Sequence, residues 1–113
     1  MSGFMGELEL ARTEINEIDT EMARLFERRM KAVETIARYK KEHGLPVRDP
    51  EREAAMFAQR GKEIRNPALV PFYITFLKHT IDVSCSYQEE LLSGRITAER
   101  DCGNSQPSAK RKE

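Results

Sequence analysis

The sequence has no tryptophan, few glycines and prolines, and no net charge across its 113 residues. Six Gly and five Pro, with 39% hydrophobic and 34% charged residues, are typical of a soluble protein made of amphipathic helices rather than sheets. Nineteen basic and nineteen acidic side chains cancel, so no overall field draws the chain to nucleic acid or to a membrane surface. We therefore expect an all-α fold in which any anion binding is local.

Cysteines and long apolar runs are also scarce. Cys85 and Cys102 have no CxxC partner and no spaced His pair, so we expect free thiols in a reducing compartment and no metal site. No apolar run approaches the ~18 residues of a membrane span, and the N-terminus lacks the basic and apolar segments of a secretory signal. These absences predict a cytoplasmic protein, and the chain length predicts a single domain.

Apolar residues recur at intervals of three and four from Leu8 onward. They are Leu8, Ala11, Ile15, Ile18, Met22, Leu25, Ala32, Ile36 and Tyr39, with no Gly or Pro among them. A helix of roughly 35 residues would be about 50 Å long, which is more than a domain of this size can bury. We therefore predict that the long helices of two chains pack together as an intertwined homodimer.

Boundary signals predict two further helices. Asp49 suits the N-cap and Pro50 the first position of a second helix, which should extend to about residue 64. Asn66-Pro67 and Pro71 predict a short turn or a distorted first turn before a third helix that ends near Gly94. Residues 1–94 are thus the predicted helical domain, and the polar, aperiodic residues 95–113 are expected to form a disordered tail.

Polar residues interrupt two of the apolar stripes. Arg29 fills a slot in the first stripe, and Lys40, eleven residues later, returns to within about 20° of the same direction on the helix. On the third helix Ser84 and Gln88 lie four apart on a side that also carries Tyr73, Leu77, Ile81 and Leu91. Each residue alone has an ordinary structural explanation. Such an arginine can extend its charged end to water, such a serine can bond to a backbone carbonyl of its own helix, and such a lysine can interact favourably with the dipole at the helix end. Together they indicate a polar ligand inside the helical bundle.

The order of these residues along the chain carries a resemblance to a known family. Arg12, Arg29 and Lys40 are followed by Pro46-Val-Arg-Asp-Pro-Glu-Arg-Glu53 and by Ser84-x-x-x-Gln88. In this pattern the chain resembles the all-α chorismate mutases over roughly residues 7–94. The resemblance implies an enzyme without metal or cofactor that rearranges chorismate to prephenate for phenylalanine and tyrosine synthesis.

The resemblance also implies a role for each residue. Arg12, reaching across the homodimer, and Arg29, from the same chain, would hold the two carboxylates of chorismate. Lys40 and Gln88 would donate hydrogen bonds to the ether oxygen of the breaking bond, and Glu53 would bind the ring hydroxyl. The predicted site is completed by Asp49, Arg52 and Ser84.

Two other functions stay open from the sequence. The chain also resembles the isochorismate-pyruvate lyases, which share this fold and bind a similar dianion. The block around Glu53 and the Ser84/Gln88 pair favour the mutase. A non-catalytic helical adaptor, in which polar residues of the dimer interface set the register, is the alternative outside enzymes. Neither His43 nor His79 falls in the predicted site, so no nucleophile with a matched base is expected.

Overall fold

A computed structural model of the chain describes residues 3–98, with side chains from residue 6 onward. The described part contains only helices and connecting segments. They are α1 (Gly3–His43), α2 (Pro50–Gly61), a short 3-10 helix (Pro67–Leu69) and α3 (Val70–Ser93). The all-α prediction with a very long first helix is therefore confirmed. Cys102 and most of the expected tail lie outside the described residues.

The helix ends follow the local signals of the sequence. Gly44 and Gly94 adopt positive φ angles of 66° and 81° directly after α1 and α3, a conformation that costs glycine little and other residues more. The 3-10 helix begins at Pro67, and Pro71 falls in the first turn of α3, where its missing N–H breaks no helical bond. The short turn predicted before the third helix is thus confirmed.

The second helix is shorter than predicted, because α2 ends at Gly61 and not near Ile64. The N–H groups of Lys62 and Glu63 bond to carbonyls three residues back, those of Gln59 and Arg60. Such bonds tighten the chain into turns instead of continuing an α-helix.

The chain divides into two compact units within α1, after Ala32. The described part of the N-terminal unit is helix alone. Its predicted apolar stripe is exposed in the single chain: Leu8, Ile15, Ile18, Met22 and Leu25 are each at least 41% accessible. The described residues of this unit form one helix, which alone cannot bury such a stripe.

The second unit contains the described core. Leu77, Ile81 and Cys85 on one face of α3 pack with residues of α2, its preceding loop and α3 itself, namely Val47, Met56, Phe57 and Tyr73. The side of α3 that the sequence predicted to be buried is therefore the buried side.

The part of α1 in the second unit buries a different pair from the predicted stripe. Val33 and Ala37 are buried, whereas Ile36 and Tyr39 are 43% and 48% exposed. The side chains of Glu34 and Tyr87 join α1 to α3 through a 2.6 Å hydrogen bond in which the phenol donates. Within the second unit, α1 thus presents the Val33 face to the interior.

None of the described helices combines the length and the apolar character that crossing a bilayer requires.

Candidate functional site

The first turn of α2 positions three of the predicted site residues. Asp49 is the N-cap, and its Oδ1 accepts a hydrogen bond of 3.2 Å from the backbone N–H of Arg52. Pro50 follows at the start of the helix, where its fixed φ suits the first turn. The cap therefore fixes where the Arg52 and Glu53 side chains leave the backbone.

Glu53 is engaged by a neighbouring arginine. The Arg48 guanidinium donates from Nε and Nη2 to the two carboxylate oxygens of Glu53, each at 3.3 Å. The same guanidinium donates to Oδ1 of Asp82 on α3 at 2.9 and 3.0 Å. Arg48 therefore links the first turn of α2 to α3 through two carboxylates.

Lys40 is held near the same place. Its Nζ donates to the carbonyl oxygen of Val47 over 2.6 Å, and the side chain is half-buried. Val47 in turn packs against the core cluster of α3. The Lys40 ammonium is therefore directed to the loop before α2 and is not extended into solvent at the helix end.

Ser84 and Gln88 are both buried on α3, with 6% and 5% of their surface accessible. Ser84 Oγ donates to the carbonyl oxygen of Thr80 at 3.1 Å, which is the backbone bond expected of a helical serine. Gln88 differs, since its buried Oε1 has no hydrogen-bond partner among the described residues. A buried polar atom without a partner typically costs about 1–3 kcal/mol, so a group that donates to this oxygen, whether a water molecule or a ligand, would stabilise the protein.

Cys85 lies between these two residues, and the pKa of its thiol depends on the charged groups around them. Burial raises the pKa of its thiol, against opposing influences from Arg48 and Lys40, while Glu53 adds to the increase. Lys40, Arg48 and Glu53 are therefore all close enough to act on one buried atom of α3. Because the thiolate is the nucleophilic form, a thiol with a raised pKa is a poor nucleophile at neutral pH.

The second unit thus brings together Lys40, the first turn of α2 and the polar face of α3. Arg12 and Arg29 lie in the N-terminal unit, where Arg12 is exposed and Arg29 is half-buried. Their part in the site stays a prediction.

Sequence reasoning missed the connection made by Arg48, which has the pattern of an ordinary surface charge. Its partner Asp82 is 34 residues away along the chain. No local spacing rule relates the two, so only the packing of α2 on α3 discloses the pair.

The fold and the site define a small helical protein in which Lys40 of α1 and the charged first turn of α2 lie near the buried face of α3 that carries Ser84 and Gln88. The family model for chorismate mutase type II matches residues 11–89. The chain therefore belongs to the chorismate mutase type II family, and the resemblance found in the sequence is confirmed.

Two curated relatives are similar to part of the chain. The T-protein of Haemophilus influenzae is 42% identical over 60 residues, covering 53% of this chain and 16% of that protein. The T-protein of Enterobacter agglomerans is 37% identical over 59 residues, covering 52% of this chain and 16% of that protein. The chain thus matches only about a sixth of each relative's length. No solved structure shows significant similarity to it.

The unpartnered oxygen of Gln88 leads to a prediction in which stability and activity separate. Gln88→Met keeps the length of the side chain and removes the amide. We expect an unchanged or slightly higher melting temperature, because a buried unsatisfied group is lost. We also expect a decrease in kcat of about a hundredfold, because the predicted hydrogen bond from the amide to the ether oxygen is lost. Circular dichroism melting and steady-state kinetics measure the two effects.

The matched control is Gln59→Met, an exposed position on α2 that should change neither quantity. A large drop in melting temperature for Gln88→Met, in proportion to its loss of activity, would assign Gln88 a structural role instead.

Proposed function

We propose that the chain is a chorismate mutase that converts chorismate to prephenate in the synthesis of aromatic amino acids. The observation that carries the proposal is the family match, because residues 11–89 include all eight of the predicted site residues. These are Arg12, Arg29, Lys40, Asp49, Arg52, Glu53, Ser84 and Gln88.

The reaction suits a site of fixed charges and amides. The rearrangement is a single pericyclic step, in which a carbon–oxygen bond breaks while a carbon–carbon bond forms, with no covalent intermediate. Catalysis then requires that a flexible dianion is held in its compact reactive shape and that charge growing on the ether oxygen is stabilised. Neither task needs a nucleophile, which agrees with the raised pKa of the Cys85 thiol.

Lys40 and Gln88 are the proposed donors to the ether oxygen. The Lys40 ammonium already donates one 2.6 Å bond to Val47, and a protonated amine has two further donors. The Gln88 amide is buried on α3, and its Nε2, the donor end of the group, would bond to the ether oxygen. A cation and a neutral amide at one oxygen stabilise its growing negative charge without any proton transfer.

Glu53, Asp49 and Arg52 occupy one turn of α2 in the proposed site. Glu53 would accept a hydrogen bond from the ring hydroxyl of chorismate, and its 21% exposed side chain is accessible to a ligand. Asp49 fixes the start of the helix through its cap, and Arg52 adds a cation beside it. Ser84 lies one turn before Gln88 on the buried face of α3 and would complete the wall of the site.

The two carboxylates of chorismate are assigned to Arg12 and Arg29. A planar guanidinium binds a carboxylate through two parallel bonds and keeps its charge at any physiological pH. Arg12 would act in the site of the partner subunit. The exposed apolar stripe of the N-terminal unit supports this homodimer, since a second copy of the same helix would cover it.

We also infer that the enzyme works in the cytoplasm. The buried free thiol of Cys85 is consistent with a reducing compartment.

The test is to incubate the purified chain separately with chorismate and with isochorismate and to identify the products by NMR. We expect prephenate from chorismate and no pyruvate from isochorismate. Pyruvate without prephenate would instead make the chain an isochorismate-pyruvate lyase.

Ligand-dependent melting separates both enzymes from a helical adaptor. A ligand that binds only the folded state raises the melting temperature, so chorismate should stabilise the chain in a concentration-dependent way. If neither compound were turned over and neither raised the melting temperature, the adaptor would be favoured.

A further inference from the structure

Arg48 is the most connected charged side chain near the proposed site that has no assigned role. Its bonds to Glu53 are both 3.3 Å long, whereas those to Asp82 are 2.9 and 3.0 Å. The guanidinium is thus held more closely by the α3 carboxylate and presents two parallel donors to Glu53. Bidentate pairing of this kind fixes the plane and direction of a carboxylate.

Stability does not explain this arrangement well. The side chains of Arg48 and Asp82 are 46% and 58% exposed, and ion pairs between such exposed groups add little to folding free energy. Glu53, at 21% exposure, is the most enclosed of the three. The arrangement therefore has its main consequence at Glu53, the member that belongs to the proposed site.

An open cavity explains why Glu53 needs such support. A cavity of about 200 Å³ is lined by Arg48, Glu53, Phe57, Lys78, Ile81 and Asp82. Lys78 is a second cation on its wall, and the cavity is large enough for several water molecules. Without Arg48, the Glu53 carboxylate could rotate into the cavity toward water or Lys78.

We propose that Arg48, anchored by Asp82, is a positioning residue that holds the Glu53 carboxylate in the orientation that receives the substrate hydroxyl. The inference rests on the proposed function, because it assumes that Glu53 contacts the hydroxyl of chorismate. Hydrogen bonding with Glu53 raises the pKa of Arg48 above its ordinary value. An arginine guanidinium keeps its charge at any physiological pH.

The expected kinetic effect follows from when the hydroxyl contact exists. The ring hydroxyl is present in the substrate and in the transition state alike, so a misplaced Glu53 weakens the binding of both to a similar extent. We expect Arg48→Ala to raise KM about tenfold while kcat changes by less than about threefold. Asp82→Ala should also raise KM, but by less than Arg48→Ala does, because Arg48 keeps its bonds to Glu53.

A double-mutant cycle tests whether Arg48 acts through Glu53. Arg48→Ala, Glu53→Gln and the double variant are compared by KM and kcat for chorismate. In the Glu53→Gln background, Arg48→Ala should change KM by less than about twofold, since no carboxylate remains to be positioned. Arg48→Lys, which restores charge without the planar pair of donors, should recover part of the loss.

Glu51→Ala, an exposed change in the same first turn of α2, is the matched control and should leave KM unchanged. An equal effect of Arg48→Ala in the wild-type and Glu53→Gln backgrounds would overturn the inference, because the arginine would then act independently of Glu53. That result leaves the proposed function intact when the wild type makes prephenate. Absence of prephenate from the wild type would overturn the proposed function, and this inference with it.

Discussion

Lys40→Ala should lower kcat by several hundredfold to about a thousandfold and leave KM nearly unchanged. The reason is the timing of charge: the ether oxygen is nearly neutral in bound chorismate and becomes negative only as the carbon–oxygen bond breaks. The Lys40 ammonium is half-buried and held by the Val47 carbonyl at 2.6 Å, so it needs little reorganisation to meet that charge. A preorganised donor of this kind typically contributes about 3–4 kcal/mol to the stabilisation of a transition state.

Steady-state rates of chorismate loss over a range of substrate concentrations separate the two constants. Lys41→Ala is the matched control, because the neighbouring lysine is exposed and should leave both constants unchanged. Circular dichroism verifies that each variant is folded. If Lys40→Ala raised KM strongly and left kcat unchanged, Lys40 would bind substrate and transition state equally and the donor role would be wrong.

Mixing two inactive variants should restore activity. Arg12→Ala and Arg29→Ala should each reduce kcat/KM about a thousandfold, since each leaves one substrate carboxylate without its cation. If Arg12 acts in the partner's site, a heterodimer of the two variants contains one intact site and one site that lacks both arginines. Random association of equal amounts places half the chains in heterodimers, so about a quarter of wild-type activity should return.

The control mixes Arg29→Ala with Lys40→Ala, two changes to residues that the same chain supplies. Every site in that heterodimer lacks one of the two groups, so activity should stay low. Exchange is verified with two affinity tags and purification of the mixed dimer. Failure of the Arg12→Ala and Arg29→Ala mixture to regain activity, with exchange verified, would contradict the shared site.

The features that the sequence predicted well depend on local rules. Asp49 and Gly94 occupy the cap positions that their side-chain chemistry favours, and the structure places both there. The buried face of α3 follows from helical periodicity, which brings Ser84 and Gln88 to the side that carries Leu77. Each of these depends on residues a few positions apart, where geometry leaves few alternatives.

The features that the sequence did not predict depend on how helices meet. The Arg48–Asp82 pair joins groups 34 residues apart, and the Tyr87–Glu34 bond joins groups 53 apart. Periodicity identified the stripe of α1 that carries Ile36 and was predicted to meet a second chain, but it did not identify Val33 and Ala37 as the residues that α1 buries within its own chain. Small residues such as Ala permit close approach of two helices. A buried Ala is harder to recognise from the pattern of apolar residues than a buried Ile or Leu.

The most direct test of the proposed activity is the initial rate at which purified wild type and Arg29→Ala consume chorismate at equal concentrations, with the product identified. Rapid formation of prephenate by the wild type, reduced about a thousandfold in the variant, is the expected result. Equal rates for the two proteins, or no prephenate above the spontaneous rearrangement, would contradict a mutase site built on these residues.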